Sequence, residues 1–295
     1  AACAAWSATG GGTSLHLGTS VSGTGDLNGD TYGDVAIGVY NATDTATSEG
    51  AVEVYFGSAS GLASSPDYEV YGYDGGAHLG RSVAIAGDVD GDGQSDLLAG
   101  APDTNPGGEA RVYVGLGAVQ GVSEEADWTD DSDEVQAFYG AALDGAGDVN
   151  GDGYDDVILG AYGYDDGQTD EGAAFVVYGN ASGLDSGPGW EIESDQTNAW
   201  LGYEAAGAGD VNADGYDDII VGAPKWDNGQ TDEGGAWVYY GSATGVETSS
   251  SWSDESDQAL ANYGWTVASA GDVDGNGADD IIVGAYLASN GQTNE

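Results

Sequence analysis

The chain has 295 residues and carries 52 acidic side chains against 3 basic ones, for a formal net charge of −49. Such a surface excludes nucleic-acid binding, which depends on Lys and Arg at phosphates, and it disfavours adsorption to an anionic membrane. With 40% hydrophobic residues, including 8 Trp and 18 Tyr, the chain still has enough apolar surface to form a packed core.

The single cysteine, Cys3, excludes an internal disulfide framework and any zinc site built on cysteines. No apolar run approaches the roughly 18 residues that a membrane-spanning helix needs, so we expect no membrane insertion. The sequence contains no methionine, and we therefore expect a processed product or a fragment of a longer chain.

Short runs rich in β-branched and aromatic residues, bounded by Gly, Asp, Asn and Ser, predict β-strands. In the first repeat they fall at 16–23, 35–40, 51–57 and 67–72. No stretch shows a sustained helical period. Units of four strands, each unit about 60 residues long, are typical of β-propeller blades. We therefore predict an all-β propeller; a linear β-solenoid is the alternative, although its coils are usually much shorter.

An acidic loop of the form D-x-[DN]-x-[DN]-x-x-x-D recurs at nearly constant steps, beginning at Asp26, Asp88, Asp148, Asp210 and Asp272. A hydrophobe–Gly pair precedes each loop, and a short apolar run such as VILGAY follows it. This regularity predicts one propeller domain over 1–295. The predicted repeats are approximately 1–62, 63–122, 123–184, 185–246 and 247–295.

The last repeat stops inside a blade. Glu295 is in register with Glu171 and Glu233, after which a third strand would follow, and the part that would complete five repeats corresponds to 50–62. We expect the last blade to lack its third strand and the segment around Trp6 to supply its fourth. An open strand slot invites another chain, including a second copy of this one.

Each acidic loop brings together side-chain oxygens from positions 1, 3, 5 and 9 and the carbonyl of position 7. Calcium takes six or more such oxygens at about 2.3–2.6 Å, and closely packed carboxylates repel one another without a cation. No His or Cys is near enough to favour zinc or copper. We predict up to five Ca²⁺ ions. The predicted ligands are Asp26, Asn28, Asp30, Tyr32 and Asp34; Asp88, Asp90, Asp92, Gln94 and Asp96; Asp148, Asn150, Asp152, Tyr154 and Asp156; Asp210, Asn212, Asp214, Tyr216 and Asp218; and Asp272, Asp274, Asn276, Ala278 and Asp280.

Two other interpretations of the loops explain the pattern less well. A solvated acidic turn explains one such loop but not five in one register. An EF-hand needs flanking helices and a Glu at position 12, whereas position 12 here falls in apolar strands, as at Leu159. Thr31 replaces a position-6 glycine in loop 1 and Ala213 a position-4 glycine in loop 4, and Thr31 must carry the cost of any positive φ.

The combination of a hydrophobe–Gly pair, an acidic loop and a Gly-Ala-Pro or Gly-Ala-Tyr turn resembles the FG-GAP repeat of the integrin α-subunit head, over nearly the whole chain. The resemblance implies a β-propeller with calcium in the loops that join the first two strands of each blade. It also implies an extracellular or cell-surface setting and adhesion-type ligand binding. Integrin heads have seven blades and five repeats are visible here. The near-identity of the repeats and the absence of cysteine pairs favour a microbial surface protein.

The sequence therefore favours a non-catalytic adhesion or structural assembly module whose partners are other proteins or copies of itself. A lectin-like glycan binder and an accessory module of a secreted enzyme are the alternatives. His16 and His78 occupy equivalent positions, which favours a repeat-surface role over catalysis. Four tryptophans leave the aromatic register and either pack between blades or form a stacking platform for a sugar: Trp200, Trp226, Trp237 and Trp265.

Overall fold

The computed structural model describes residues 6–9, 15–23, 25–113 and 126–289. These residues form 20 strands and no α-helix, so no helix among them is long and apolar enough to cross a membrane. The all-β prediction is confirmed. Cys3 and the residues after 289, on which the predictions about the cysteine and the last blade depend, lie outside the described part.

The strands form four complete antiparallel sheets of four strands and one pair, together with a short two-stranded hairpin. The first sheet contains β1 (Leu17–Gly23), β2 (Val35–Val39), β3 (Ala51–Tyr55) and β4 (Tyr68–Tyr71), and the second contains β5 (Ser82–Ile85), β6 (Leu97–Ala101), β7 (Glu109–Tyr113) and β8 (Trp128–Asp131). The third contains β9 (Ala142–Gly147), β10 (Asp156–Ala161), β11 (Ala173–Val177) and β14 (Trp190–Glu193), with the hairpin β12 (Gly179–Asn180) and β13 (Gly183–Leu184) between its last two strands. The fourth contains β15 (Glu204–Gly209), β16 (Asp218–Ala223), β17 (Gly235–Tyr239) and β18 (Trp252–Glu255), and the pair is β19 (Tyr263–Gly271) with β20 (Asp280–Ala285).

Each sheet is a meander, which is the blade of a β-propeller. The four strands predicted for the first repeat all form, with ends within two residues of the prediction. The fourth strand of each complete sheet lies in the sequence interval of the following repeat, as β4 does. Consecutive sheets are therefore offset from the predicted repeat intervals.

The first strands of the five sheets pack side by side in chain order: β1 contacts β5, β5 contacts β9, β9 contacts β15, and β15 contacts β19. The apolar core lies between neighbouring sheets. Leu98 of the second sheet, for example, belongs to one buried cluster with Val157 and Leu159 of the third. In the described part of the chain, β19 makes no comparable contact with β1. The described blades thus form an arc rather than a closed ring.

Neighbouring blades meet through glycine backbone. A Cβ atom added at Gly160 in β10 would lie 2.1 Å from the carbonyl oxygen of Gly202, which precedes the first strand of the next sheet. Gly202 itself adopts φ of +74°, a conformation that other L-residues rarely take. The same contact recurs in the pairs Gly38–Gly80, Gly100–Gly140 and Gly222–Gly264. The hydrophobe–Gly pair and the Gly-Ala turn are therefore two halves of one interblade contact.

The first and last described sheets each have one face that no neighbouring sheet covers. Residues on these faces are exposed, whereas the equivalent residues of the inner sheets are buried. Ile282 in β20 is 60% exposed, whereas the equivalent Ile220 in β16 is 0% exposed. On the other side, Val21 in β1 is 66% exposed and the equivalent Val83 is 7% exposed. These two faces correspond to the two halves of the interface that is buried between each pair of inner blades.

The segment around Trp6 packs against the first blade. The Trp6 indole N–H donates to the carbonyl of Ala63 at 2.6 Å, and its ring meets Tyr55 edge-on. Trp128 and Trp190, in the fourth strands of the second and third sheets, make the equivalent bond to a carbonyl 57 residues later. Trp6 thus sits where the outer strand of a preceding blade would lie. Its predicted pairing with the last blade is not among the described sheets.

The glycine contact yields a first prediction. Gly160→Ala places a methyl group against a backbone carbonyl that cannot rotate away, so we expect a fall of several degrees in the melting temperature. Gly187→Ala is the matched control, because Gly187 has open space around its Cβ position and no positive φ. Thermal unfolding followed by circular dichroism measures both. Equal melting temperatures for the two variants would contradict the proposed role of the contact.

Candidate metal centres

The five acidic loops lie at one rim of the blades, where the first strand of each sheet turns into the second. In the third sheet the loop follows β9 and ends at Asp156, which pairs with Gly147 across the turn. The side chain of Asp148, at position 1, shapes the loop. Its Oδ1 accepts from the amides of Gly151 and Asp152 at 2.7 and 3.0 Å, and its Oδ2 accepts from Gly153 at 2.9 Å. The loop is therefore folded around this carboxylate.

Position 1 plays the same part in the other four loops. Its Oδ2 accepts the amide of position 6 in every case, from Thr31, Gly93, Gly215 and Gly277 in turn. Thr31 adopts φ of 75° and Ala213 adopts φ of 58°, so both departures from glycine occupy left-handed backbone. The predicted cost at Thr31 is present, and Ala213 carries a similar one.

Carboxylates from positions 1, 3 and 9 converge. One oxygen from each of Asp88, Asp90 and Asp96 lies within 4.8 Å of the others, and Asp272, Asp274 and Asp280 form the same group in the last loop. The other three loops carry Asn at position 3, with an amide oxygen in place of a carboxylate. Two of these position-1 and position-3 oxygens, Asp88 Oδ1 and Asn212 Oδ1, are buried without a hydrogen-bond partner among the described residues.

Position 5 stands outside these groups. The Oδ1 of Asp92 accepts the amide of Gln94 at 2.8 Å, and Asp152 does the same with Tyr154 at 3.1 Å. Position 5 therefore supports the loop backbone next to position 7, whose carbonyl is a predicted ligand.

Position 9 anchors the loop to the rest of the blade. Asp156 is fully buried, its Oδ2 accepts the amide of Val149 at 3.0 Å, and its Oδ1 accepts the amide of Gly179, beyond the third strand, at 2.8 Å. Asp34 and Asp218 make the same pair of bonds. Burial raises the pKa of Asp156 to about 7 and that of Asp218 to about 6, against the amide hydrogen bonds that lower it.

Sequence reasoning missed the aspartate at position 8. In loop 3, Asp155 Oδ2 accepts the amide of Asp88, the first residue of the preceding loop, at 2.7 Å. Asp217 and Asp279 reach back to Asp148 and Asp210 in the same way, at 3.0 and 3.1 Å. The sequence does show two consecutive aspartates at positions 8 and 9 in loops 3 to 5, and this pair could have indicated a role for the first of them. Only the second, at position 9, is predicted to be a ligand. These bonds join each loop to its neighbour.

The residues present fit calcium. The converging donors are all oxygens, their carboxylates repel one another, and two of the oxygens lack a partner, which a hard divalent cation would supply. The predicted ligand positions all lie in these loops, and the structure groups the carboxylates of positions 1, 3 and 9 in the second and fifth loops. The assignment of each ligand and the number of ions stay predictions.

The opposite rim carries a set of aromatic side chains. They form a continuous row of ring contacts through Phe138, Tyr162, Trp200, Tyr203, Trp265 and Tyr286. Trp226 and Trp237 form a separate edge-on pair. Tyr40 stacks on His78 at 4.0 Å and lies beside His16, and His78 Nδ1 contacts Asp103 at 2.7 Å. The histidines thus belong to the same interblade surface.

Comparison with known proteins agrees with this architecture. The family model described as FG-GAP repeat matches residues 17–55, 79–115, 139–177, 202–239 and 263–295. Integrin alpha pat-2 of Caenorhabditis briggsae is 33% identical over 245 residues, which cover 76% of this chain and 18% of that protein. Integrin alpha-V of Gallus gallus is 31% identical over 222 residues, covering 71% and 20%.

Enzymes also occur among the similar proteins. Phosphatidylinositol-glycan-specific phospholipase D of Mus musculus is 33% identical over 155 residues, covering 49% of this chain and 18% of that protein. Among solved structures, the exotype rhamnogalacturonan lyase YesX aligns with a TM-score of 0.42 at 12% identity, over 92% of this chain and 56% of that one. The chain spans about one fifth of the length of the integrin relatives it matches.

The raised pKa values generate a second prediction. Asp156 and Asp218 hold protons in the folded, cation-free state at pH values where the unfolded chain has released them. In chelator, the free energy of unfolding should therefore fall as pH rises from about 4 to about 7. Calcium requires the ionised carboxylates, so its stabilising effect should grow over the same interval. Melting temperatures near pH 5 and near pH 8, with and without calcium, measure both effects.

The control for this prediction lies away from the loops. Glu204 in β15 has a pKa raised to about 7, chiefly by burial and also by nearby Asp144. Glu204→Gln should reduce the pH dependence in chelator but leave the calcium-dependent difference intact. A melting temperature that does not respond to calcium near pH 8 would remove the calcium assignment.

Proposed function

The chain belongs to the FG-GAP repeat family, and on that premise we propose that it is an extracellular, calcium-stabilised β-propeller that acts as a non-catalytic adhesion or assembly module. The observation that carries this proposal is the repetition of one loop. Position 1 folds the loop backbone in all five repeats, and the carboxylates of positions 1, 3 and 9 converge in the second and fifth loops. Equal loops in all repeats favour a structural cation in each blade over a single reaction centre.

Two observations favour adhesion: the likeness to integrin α subunits, and the aromatic side chains on the rim opposite the loops. The loops are closed by backbone hydrogen bonds, whereas the opposite rim presents the aromatic row and the side chain of Lys225, which lies 5.7 Å from the ring centre of Trp200. Aromatic side chains such as tryptophan and tyrosine are enriched where proteins bind other proteins. We place the ligand surface on this rim.

Two further functions have support of their own. The aromatic row is also the kind of surface on which sugar rings stack, which favours a glycan ligand as the second candidate. The likeness to a phospholipase D supports a role as the accessory module of a secreted enzyme. No catalysis is proposed for the propeller itself, because the acidic positions repeat from blade to blade and no acidic pair stands out from the repeat.

The adhesion proposal predicts binding that depends on calcium. We expect the chain to bind immobilised extracellular-matrix proteins in calcium and to release them in chelator, measured by surface plasmon resonance beside a glycan array. Trp200→Ala should weaken binding about tenfold or more, as loss of a central aromatic contact does. Trp252→Ala, on the outer strand of the fourth blade, is the matched control and should bind normally. Binding confined to the glycan array would favour the lectin function, and binding to neither would contradict both.

Assembly with a second copy is favoured by the exposed faces of the terminal blades. Ile282 and its neighbours in β20 offer the surface that an inner blade buries, and Val21 in β1 offers the matching surface. Because the two faces are the two sides of one repeated interface, the face of one molecule fits the opposite face of another. Such head-to-tail contacts are heterologous and lead to rings or filaments.

Analytical ultracentrifugation in calcium tests the assembly. We expect concentration-dependent oligomers of the wild-type chain and a monomer for Ile282→Asp, since a charge on this face opposes its burial. Val135→Asp is the control, because Val135 is 68% exposed but lies between β8 and β9, away from the outward faces of the first and last sheets. A wild-type monomer at all concentrations would exclude self-assembly while leaving the adhesion proposal in place.

A further inference from the structure

A second set of acidic clusters lies on the rim opposite the calcium loops. In the third sheet, one oxygen from each of Glu171, Glu193 and Asp195 lies within 4.8 Å of the others. The fourth sheet repeats the group at the equivalent positions, with Glu233, Glu255 and Asp257. The clusters lie where the second strand of the sheet turns into the third and where the fourth strand ends. They share no residue with the loops.

The glutamate at the base of each cluster is buried and incompletely satisfied. Glu171 is 0% exposed, and its Oε1 accepts the amides of Asp166 and Gln168 at 2.8 and 3.2 Å. Its Oε2 is buried and has no hydrogen-bond partner among the described residues. Glu233 is equally buried, its Oε1 accepts the amides of Asn228 and Gln230, and its Oε2 is likewise without a partner. A buried carboxylate oxygen without a partner is costly, so its recurrence calls for a ligand.

The second sheet lacks the glutamate at the base of the cluster. Gly107 stands at the position of Glu171, because each lies two residues before the third-strand residue, Glu109 or Ala173, that pairs with the end of the second strand. The two other acidic positions of the cluster are kept as Asp131 and Asp133. Glu109 itself is a strand residue, and Arg111 binds both of its oxygens, with Nε and one terminal nitrogen each at 2.9 Å. The second sheet thus keeps two acids of the cluster without the buried carboxylate.

The third and fourth sheets have the buried glutamate but not the strand pair of glutamate and arginine. Ala173 and Gly235 stand at the position of Glu109. In the first sheet the carboxylate is Glu49, whose Oε2 accepts the Thr45 hydroxyl and the Ala46 amide, and the two other acidic positions are tyrosines. The unsatisfied oxygen therefore occurs in the two described blades that have both the buried glutamate and the two further acids.

We propose that each of these two clusters binds a divalent hard cation, of which calcium is the fitting example. Oxygens on opposite sides of a calcium ion are about 4.6–5.2 Å apart, which matches carboxylates grouped within 4.8 Å. Carboxylate-only donors select Ca²⁺ over zinc or copper. In the fourth sheet the Asn228 side-chain amide also donates to both Glu255 oxygens, at 3.1 and 2.9 Å, and holds this ligand in place.

Calcium stoichiometry, measured by native mass spectrometry and equilibrium dialysis after chelation, tests the proposal. Glu193→Gln with Asp195→Asn should remove one ion from the wild-type count, Glu255→Gln with Asp257→Asn should remove one, and all four changes should remove two. These side chains lie at the partly exposed edge of each cluster, so the buried glutamates and the fold stay intact. Circular dichroism checks that point.

The control comes from the second sheet. Asp131→Asn with Asp133→Asn should leave the count unchanged, because Gly107 leaves that cluster without its buried glutamate. An unchanged count in the fourfold variant, or a loss of ions in the second-sheet control, would overturn the proposal. Loss of calcium from the third loop is scored separately with Asp148→Asn, so failure of the loop sites is distinguishable from failure of the clusters on the opposite rim.

Discussion

The close approach of backbone between neighbouring blades is the constraint on which the rest of the structure depends. At four successive interfaces, a glycine in a second strand has no room for a Cβ atom because the carbonyl of the next blade's glycine lies about 2 Å from where it would be. This contact fixes the distance and register between blades. Only at that distance do apolar side chains such as Leu98 and Leu159 interdigitate in one core. The acidic loops and the aromatic rim are carried on the same rigid blades.

The sequence was sufficient to predict the blade because its determinants are local and repeated. Strand positions, loop positions and the glycine pairs all follow from patterns within about 60 residues. The position-8 aspartates escaped prediction because their partner lies 67 to 69 residues away, in the preceding loop. The clusters at Glu171 and Glu233 escaped for a similar reason, since their members lie just before the third strand and at the end of the fourth, and meet only when these two strands of the sheet pair.

Many of the carboxylates are stabilised by hydrogen-bond donors or cations within their own blade, although the net charge of the chain is strongly negative. Backbone amides donate hydrogen bonds to the carboxylates of Asp148 and Asp156, and Arg111 forms an ion pair with Glu109 within its own blade. Where neither device is available, as at Glu171, a carboxylate oxygen remains buried without a partner among the described residues. The carboxylate oxygens that neither device reaches mark the places where an external cation would bind. The blade-to-blade difference at one position, glutamate in the third and fourth sheets against Gly107 in the second, carries that information.

The hydrogen bond from each loop to the next gives the array a further property. The amide of Asp148 is held by Asp217, and the amide of Asp210 by Asp279, so the first carboxylate of one loop and the acidic pair of the following loop move together. An ion that orders one loop lowers the entropic cost of ordering its neighbour. The affinity of each loop for its ion would then depend on whether the loop next to it is filled, as in repeat proteins whose stability is set by contacts between neighbours. We therefore expect ions to bind the loops of successive blades cooperatively.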